Sequence, residues 1–412
     1  MKFELPRGIR DIEPDEYNRI NYLRDKFLDT AKLFDFKIME PSPIEMLATL
    51  EAKSGPMIKN EIYAFKDKGN RDIALRFDLT VGITRYVTSR RDLSIPAKFG
   101  SFAGVWRYDE PQLGRYRWFH QWDIEIYDNF NTESDAEVIE FTEHFMNKIG
   151  LTGIRIEIND REMLENYLKG LGVNSIDEYF RAVDKASKKS KEELLEEYSM
   201  LDSNILEQLL ALSKESITLD RLKELKMDSN RIEQLLDSLK SRDVKNVKIN
   251  LGIVRGLDYY SSIVFEVFSN ESKNAIVGGG RYDKLPKVFN RDDLGATGAA
   301  GGIERILSLL KEEKEVEEKV YVAYTHDKLK NNAISLASIL RKKNIITSSE
   351  LGKRSLRKQM DYALKNNFTK VIILAEREYN DNKIILRDLS KKEEEIIDMN
   401  AFMEKPWDYI KP

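Results

Sequence analysis

Two short segments carry the residues of this chain that are best suited to chemistry. Residues 255–260 read Arg-Gly-Leu-Asp-Tyr-Tyr, and residues 278–283 read Gly-Gly-Gly-Arg-Tyr-Asp. A guanidinium stays charged and binds anionic oxygens in two-point contacts, phenols hydrogen-bond to polar groups, and glycines let a backbone approach a ligand closely. The two segments therefore predict a site that holds a small polar substrate with a flat ring against an anionic reactant.

Residues 106–121 form a candidate nucleotide site. A turn containing a proline and a glycine separates two strand-like runs, which brings Arg107, Arg115 and Arg117 onto one hairpin. The planar fork of arginine matches phosphate oxygens, and Phe119 offers an aromatic face on which a base can stack. The alternative is an exposed hairpin whose arginines pair with neighbouring carboxylates.

The composition is that of a folded protein with two or three domains. The chain has 412 residues, of which 41% are hydrophobic and 33% are charged, and this length is too great for a single hydrophobic core. No apolar run approaches the roughly 18 residues needed to span a bilayer, and the N-terminus has no apolar signal-peptide segment. We therefore expect a cytoplasmic protein with no membrane association.

Residue counts argue against several kinds of site. Cysteine is absent and the three histidines lie far apart in sequence, so disulfides, thiolate catalysis and cysteine-ligated zinc are excluded and we expect no protein metal site. Residues 320–412 hold 18 Lys+Arg and 13 Asp+Glu, a net charge of +5 in a chain whose net charge is −4. This excess permits a nucleic-acid contact, although a solvated basic helix face is the common alternative.

Hydrophobic periodicity predicts an antiparallel α+β domain around the chemical segments. Residues 15–35 have helical spacing, and Ser134 is a candidate cap for a helix that continues to about residue 148. Short strands are predicted at residues 36–39, 72–77, 97–102 and 122–127. Because these strands follow one another instead of alternating with helices, hairpin pairing is expected.

The composition changes near residue 160. Residues 162–239 are rich in Leu, Lys, Glu and Ser, contain no proline and have helical spacing, which predicts a helical insertion. Strand patterns return at residues 247–251 and 263–268, and a helix is predicted at about 303–310. A charged stretch at 311–319 then precedes about 90 residues with the pattern of a compact α/β domain.

The hairpin at residues 106–121 resembles motif 2 of class II aminoacyl-tRNA synthetases. Residues 298–305, Gly-Ala-Ala-Gly-Gly-Ile-Glu-Arg, resemble motif 3, and residues 16–41 resemble motif 1, which forms the dimer interface in that class. The resemblance implies a homodimer.

It also implies roles in binding ATP. Arg107 would hold the α-phosphate and the substrate carboxylate, Asp109 would contact the adenine amino group, and Phe119 would stack on the adenine. Arg115 and Arg305 would bind other parts of ATP, with Arg305 at the far phosphates.

Residues 255–260 and 278–283 resemble the two signature segments of histidyl-tRNA synthetase and its close paralogues. Residues 6–11, Pro-Arg-Gly-Ile-Arg-Asp, also match that family, so the resemblance covers nearly the whole chain. It implies that Arg255 meets the α-phosphate opposite Arg107, which makes these two the expected catalytic residues.

The same resemblance implies a histidine site. Asp78, Thr80 and Gln121 would bind the ammonium group, whereas the imidazole and the rest of the amino acid would be held by Glu125, Arg255, Tyr259, Tyr260 and Tyr282. A pocket that hydrogen-bonds both ring nitrogens rejects an apolar analogue because its own polar groups would be left unpaired.

Two positions depart from the bacterial pattern of the family. Asp78, within Asp-Leu-Thr, replaces a glutamate and is similar to archaeal and eukaryotic members, and Glu110 replaces an arginine that faces the tRNA acceptor end. Gln112 is retained as a candidate tRNA contact. The C-terminal segment resembles the anticodon-binding domain of the subclass, in which Lys353, Arg354 and Arg357 would contact phosphates; solvated charges at a helix N-terminus are the alternative.

The sequence thus predicts an α+β class II synthetase sheet with flanking helices, a helical insertion and a C-terminal α/β anticodon-binding domain. The expected divisions are catalytic residues 1–160, insertion 161–245, catalytic residues 246–310, linker 311–319 and anticodon-binding residues 320–412. The insertion is expected to clamp the tRNA acceptor arm.

The predicted activity is ATP-dependent ligation of L-histidine to tRNA-His, with Mg²⁺ accompanying ATP. Two alternatives remain at this point: a non-catalytic paralogue that regulates the phosphoribosyltransferase of histidine biosynthesis, and a pseudo-synthetase that acts as a nucleic-acid or scaffold module. The paralogue typically lacks the C-terminal domain and the motif arginines, whereas Arg107, Arg255 and Arg305 are present here.

Overall fold

The computed structural model describes residues 3–54, 56–108, 110, 116–187, 189–254, 260–272, 274–311 and 317–411. The chain divides into two compact units, Met1–Lys311 and Glu312–Pro412. Each unit has its own hydrophobic core.

The first unit contains the strands and helices that carry the chemical residues. Its described strands are β1 Lys37–Ile38, β2 Ile44–Met46, β3 Ala64–Lys66, β4 Asp72–Leu75, β5 Ala97–Trp106, β6 Trp118–Asp128, β7 Arg155–Asp160, β8 Val247–Ile249, β9 Ile263–Phe268, β10 Val277–Arg281 and β11 Gly295–Gly302. Its described α-helices are α1 Pro14–Leu33, α2 Leu47–Ser54, α3 Thr80–Thr88, α4 Thr132–Lys148, α5 Arg161–Gly170, α6 Ile176–Asp184, α7 Lys191–Glu197, α8 Ser203–Leu212, α9 Leu219–Glu224, α10 Asn230–Ser241, α11 Lys284–Val288 and α12 Ile303–Leu307.

Eight of these strands form one sheet in the order β1-β5-β6-β11-β10-β9-β7-β8. The β1–β5 and β7–β8 pairs are parallel and the other pairs are antiparallel. The remaining three strands of this unit form a small antiparallel sheet in the order β2-β4-β3. The predicted α+β architecture with a mainly antiparallel sheet is confirmed.

Strand β6 separates two cores because successive side chains of a strand point to opposite faces. Trp122, Ile124 and Ile126 pack into a core with the aromatic rings of α1 and α4. On the other face, Tyr127 belongs to a second core shared with α3 and α11. This second face is polar along much of β6, although it is buried, which is unusual for a sheet face unless the side chains are hydrogen-bonded.

A helical segment follows β7. Helices α5 to α10 lie between β7 and β8 in the chain, and their buried leucines join the core of the first unit. Good N-caps define several of these helices: Asp160 caps α5, Asp202 caps α8, and Ser190 with Glu193 forms a capping box on α7.

The second unit is an α/β sheet with helices. Its described elements are β12 Lys319–Tyr324, α13 Lys330–Lys342, β13 Ile346–Ser349, α14 Leu356–Lys365, β14 Lys370–Leu374, α15 Glu376–Asn380, β15 Lys383–Asp388, β16 Glu393–Asp398, α16 Met399–Glu404 and α17 Pro406–Ile410. The strand order is β13-β12-β14-β15-β16, parallel for the first three strands and antiparallel for the last two.

One predicted helix start is wrong. Ser134 lies inside α4, and the side chain of Asn131 caps the helix by accepting from the backbone N–H of Glu133 at 3.0 Å. The cap and the first helical residue therefore lie three residues earlier than predicted, because an asparagine side chain reaches the N2 donor as well as serine does. Among the described helices, none is long and apolar enough to cross a membrane.

Candidate active site

The candidate site lies on the polar face of β6. Alternation along this strand places five side chains on that face, namely Phe119, Gln121, Asp123, Glu125 and Tyr127. Gln121, Asp123 and Glu125 are nearly inaccessible to solvent. Three buried polar side chains on one face of a strand require hydrogen-bonding partners, which makes this face a candidate binding surface.

Glu125 is at the centre of this face. The hydroxyl of Tyr282 donates a hydrogen bond to its Oε2, and Gly298 of β11 lies directly opposite it in the sheet. A Cβ on Gly298 would be 1.6 Å from Oε2, so only glycine leaves room for the carboxylate. The glycine of the predicted motif 3 thus makes space for the predicted imidazole ligand.

Tyr260 is buried close to Tyr282 in the same part of the first unit. Its side chain is 5% exposed and shares a core with Tyr282 and Tyr127. The ring lies beside Gly280, which has a φ of 147° and whose added Cβ would be 2.5 Å from the carbonyl oxygen of Ile263. Glycine is required at this point because the backbone conformation and the close strand both exclude a side chain.

A chain of hydroxyl groups extends from Glu125 to α3. Thr84 Oγ1 donates to the carbonyl of Thr80 at 2.8 Å and lies 2.9 Å from the hydroxyl of Tyr127. Because Thr84 has one proton and already donates it, Tyr127 is the donor in the second contact. Burial and the nearby Glu125 carboxylate raise the pKa of both Tyr282 and Tyr127, so both phenols stay protonated and Glu125 accepts hydrogen bonds.

Two of the three predicted ammonium ligands, Asp78 and Thr80, lie at the start of α3, whereas Gln121 is on β6. Asp78 Oδ1 accepts from the backbone N–H of Val81 at 3.3 Å, and Thr80 Oγ1 donates to Asp123 Oδ2 at 3.2 Å. Asp123 was not among the predicted residues. Together with Asp78 it provides two buried carboxylates, a suitable environment for a cationic group.

Arg107 connects the ammonium region to the candidate adenine platform. Its Nε donates to the carbonyl of Phe77 at 3.0 Å, Nη2 is 3.4 Å from Gln121 Oε1, and the guanidinium carbon lies 5.1 Å from the ring centroid of Phe119. The structure therefore brings together three of the residues predicted to bind ATP or histidine. Arg117, by contrast, is buried, stacks on Tyr108 at 3.9 Å and donates to the carbonyl of Arg7 at 3.2 Å.

Motif 3 reaches the same strand through Glu304. Its carboxylate accepts from the backbone N–H of His120 at 3.0 Å and lies 3.0 Å from His120 Nδ1. The next residue, Arg305, is exposed and donates to the carbonyl of Ala275 at 2.8 Å. The predicted phosphate ligand thus follows a residue that is anchored next to Phe119 and Gln121.

Several predicted site residues lie outside the described residues. They are Arg255, Tyr259, Asp109, Arg115 and Gln112. The described residues on either side of positions 255–259 are Val254 and Tyr260, and both are buried. These five assignments remain predictions.

In the second unit, the three basic candidates differ in their surroundings. Lys353 and Arg357 are exposed. Arg354 Nε donates to both oxygens of the buried Glu350, at 3.1 and 2.8 Å, and its guanidinium lies 4.1 Å from the ring centroid of Tyr362. These contacts anchor the Arg354 side chain within the second unit, and the tRNA contacts of all three residues remain predictions.

Two residues of the candidate site were not predicted, although the strand pattern could have indicated them. Asp123 and Tyr127 share the period-two alternation of Gln121 and Glu125, so the face of β6 predicts them once one member is identified. The contribution of Thr84 has no comparable signal, because it depends on how α3 packs against the sheet.

Comparisons with known proteins identify the family of this chain. A family model described as histidyl-tRNA synthetase matches residues 8–306, and a model described as anticodon binding domain matches residues 319–405. The histidine–tRNA ligase of Thermoplasma volcanium is 32% identical over 427 residues, covering 99% of this chain and 100% of the relative. That of Pyrococcus furiosus is 35% identical over 424 residues, covering 97% and 98%.

Solved structures share the fold. A histidyl-tRNA synthetase from a Nostoc species has a TM-score of 0.81 at 22% identity and covers 98% of this chain and 99% of its own. A Bacillus halodurans protein described as an ATP phosphoribosyltransferase regulatory subunit/histidyl-tRNA synthetase has a TM-score of 0.75 at 22% identity, with 91% and 99% covered. At these identities the structural likeness supports the fold alone, whereas the family models and the full-length relatives show that the chain belongs to the histidyl-tRNA synthetase family.

Proposed function

We propose that the protein activates L-histidine with ATP, forming histidyl-adenylate and pyrophosphate, and then transfers the histidyl group to the 3′ end of tRNA-His with release of AMP. The observation that carries this proposal is the buried Glu125 carboxylate, which accepts from Tyr282 and has room only because Gly298 lies opposite. A buried carboxylate bordered by protonated phenols suits a small ring that carries an N–H donor.

The imidazole of histidine fits this environment. Glu125 accepts the N–H of one ring nitrogen, and the hydroxyl of Tyr260 donates to the other. Tyr282 borders the ring through its hydrogen bond to Glu125, and Tyr259 completes the wall of the pocket. An analogue without ring nitrogens would leave the carboxylate and a phenol unpaired in a buried site, which is strongly disfavoured. Asp78, Thr80 and Gln121, with Asp123 beside them, bind the ammonium group.

Adenylate formation places negative charge on the phosphoryl oxygens. The histidine carboxylate attacks the α-phosphorus of ATP, and the bond to the pyrophosphate leaving group breaks. Arg107 and Arg255 stabilise the developing charge, because fixed cations aimed at the transition state lower the barrier without reorganising. Phe119 stacks on the adenine, Asp109 contacts its amino group, and Arg115 and Arg305 bind the nucleotide.

Magnesium accompanies ATP in this proposal. Among the described residues there is no group of three or more His, Asp or Glu side chains arranged to hold a metal ion. Mg²⁺ commonly keeps several waters and is held by substrate phosphates with one or two carboxylates. It would neutralise phosphate charge when bound with the nucleotide.

The second unit binds tRNA-His in this account. The match to an anticodon-binding model at residues 319–405 and the exposed Lys353 and Arg357 support the assignment. Gln112 contacts the acceptor end, and residues 161–245 clamp the acceptor arm. Since tRNA charging serves translation, we place the protein in the cytoplasm.

A homodimer completes the proposed enzyme. Helix α1 and the two strands after it expose several large apolar side chains. These side chains are Tyr17, Tyr22, Leu33, Ile38, Ile44 and Met46. A contiguous stretch of chain with this many exposed apolar side chains indicates a protein interface. Sedimentation as a monomer at micromolar concentration would contradict the dimer.

The test of the function is histidine-dependent exchange of labelled pyrophosphate into ATP. The proposal predicts exchange with histidine and Mg²⁺ and none without histidine. Absence of exchange would favour the regulatory paralogue or a scaffold role. Histidine binding without exchange would favour the regulatory paralogue over the scaffold role, because a regulator can retain the amino-acid pocket.

A further inference from the structure

Arg281 is a buried arginine that immediately precedes Tyr282. Its side chain is 5% exposed, and each edge of the guanidinium has an acceptor. Nη1 and Nη2 donate to the two carboxylate oxygens of Asp128, both at 3.0 Å, and Nε donates to Asp135 at 3.0 and 3.1 Å. Nη1 also reaches Asp283 at 3.3 Å, and Nη2 donates to the carbonyl of Asn131 at 2.6 Å.

These contacts form a charge cluster, defined here as Arg281 with Asp128, Asp135 and Asp283. One cation faces three carboxylates, and the side chains of Asp128 and Asp135 are only 4% and 2% exposed. Burial raises the pKa of Asp135 to about 6 although Arg281 opposes the rise, whereas the pKa of Asp128 is lowered because the hydrogen bonds and charge of Arg281 outweigh its burial. The guanidinium is thus held from several directions at once.

The charge cluster connects to both signature tyrosines through Ser261. The backbone N–H of Ser261 donates to the carbonyl of Arg281 at 2.8 Å, and its hydroxyl donates to Asp283 Oδ2 at 3.1 Å. Asp283 Oδ1 accepts from the backbone N–H of Ala296 at 2.9 Å. Tyr260 immediately precedes Ser261, so the residues that flank both tyrosines are tied together.

The cluster also links the strand that carries Glu125. Asp128 ends β6, three residues after Glu125, and Asp135 lies in the first turn of α4. The backbone N–H of Tyr282 donates to the carbonyl of Ala296 in β11, the strand that contains Gly298. Each of the three groups expected at the imidazole is therefore on a segment that the Arg281 cluster holds.

We propose that Arg281 is a positioning residue for histidine recognition: with its three aspartates and Ser261, it sets the spacing of Tyr260, Tyr282 and Glu125. This inference rests on the proposed function, because it assigns the imidazole to those three side chains. Arg281 itself touches no substrate in this account. Its loss affects histidine more than ATP, since the contacts of Phe119 and Arg107 do not pass through the cluster.

Three variants test the proposal. Arg281→Gln removes the charge, and Arg281→Lys keeps it but lacks the fork that spans Asp128 and Asp135. Ser261→Ala leaves every charge in place and removes only the hydroxyl that joins Asp283 to the Tyr260 segment. As a control, Lys370→Met breaks a similarly buried ion pair, that of Lys370 with Asp388 in the second unit.

Histidine Kd by calorimetry, ATP KM in pyrophosphate exchange and thermal unfolding are measured for each protein. We expect Arg281→Gln to weaken histidine binding by about 100-fold, because a shifted Glu125 weakens its charged hydrogen bond to the bound imidazole. We expect about 10-fold for Arg281→Lys and severalfold for Ser261→Ala, with ATP KM within about twofold of wild type. Lys370→Met should lower the unfolding temperature and leave histidine Kd unchanged.

Unchanged histidine Kd in Arg281→Lys and Ser261→Ala would overturn the proposal and leave the cluster a structural feature. If Arg281→Gln does not fold, Ser261→Ala decides, because it creates no unpaired buried charge. Absence of exchange in a wild-type protein that binds histidine would refute the catalytic function and leave the positioning role intact. A wild-type protein that binds no histidine would overturn the positioning role.

Discussion

Gly298→Ala provides a sharp test of the imidazole pocket. The new methyl carbon would lie 1.6 Å from Glu125 Oε2 and 2.5 Å from the carbonyl oxygen of Ile124, whereas ordinary van der Waals contact begins near 3.4 Å. The backbone oxygen belongs to the paired strand β6 and has little freedom to move. The Glu125 carboxylate must therefore leave its position, and its hydrogen bond from Tyr282 is lost or rearranged.

The expected magnitude follows from the loss of one hydrogen bond to a charged group. Such a bond contributes about 1.5–3 kcal/mol, so histidine Kd should rise about 10- to 150-fold at about 1.4 kcal/mol per factor of ten. Insertion of a methyl group into a packed strand pair should also lower the free energy of unfolding by about 1–3 kcal/mol.

Calorimetric titration with histidine in the absence of ATP measures this effect directly. Gly302→Ala is the matched control, because it lies in the same strand and its added Cβ would have no heavy atom of the described residues within 4 Å. We expect its histidine Kd to equal that of wild type. A folded Gly298→Ala protein with wild-type histidine affinity would refute the placement of the imidazole at Glu125.

Other consequences of the structure are testable in the same protein. Arg107→Ala should lower the turnover of pyrophosphate exchange by about 10²–10³-fold without unfolding the protein, as measured by exchange kinetics and circular dichroism; unchanged turnover would make the residue structural. Arg354→Ala leaves the buried Glu350 with fewer partners and should lower the free energy of unfolding by about 1–3 kcal/mol. Arg357→Ala should instead weaken tRNA charging with no change in unfolding temperature. Unchanged stability in Arg354→Ala, or unchanged charging in Arg357→Ala, would contradict these assignments. The pKa of Asp135, raised to about 6, means that the folded state binds this proton more tightly than the unfolded state does. The free energy of unfolding of the wild type, relative to that of Asp135→Asn, should therefore fall by up to about 3 kcal/mol as pH rises from about 4 to 6. Urea unfolding at each pH measures this difference. An increase in the difference over the same pH range would show that Arg281 keeps the carboxylate ionised.

Much of the architecture is predictable from local patterns. The period-two runs identify strands β4, β5 and β6, and β9 begins and ends at the predicted residues. Strand β6 is longer than the predicted run, since Trp118 and His120 continue the alternation without being purely apolar. Strand β10 has no such pattern, because three glycines carry no side-chain periodicity, and it exists through its pairing with β9 and β11.

Some contacts of the candidate site were predictable from the sequence and others were not. Glu125 and Tyr282 were predicted through resemblance, and the structure brings them into contact. The Arg281 cluster was not predictable, because Asp128 and Asp135 lie about 150 residues before it and nothing local marks them as partners. The ion pair of Arg354 with Glu350 was likewise not predictable, because nothing in the local sequence shows that Glu350 is buried.

The most direct test of the central claim is pyrophosphate exchange with the wild-type protein, ATP and Mg²⁺, supplied in turn with each of the twenty amino acids. We expect exchange with histidine and background rates with the other nineteen, because only an imidazole satisfies both Glu125 and the facing phenol. Absence of exchange with histidine, or equal exchange with another amino acid, would contradict it.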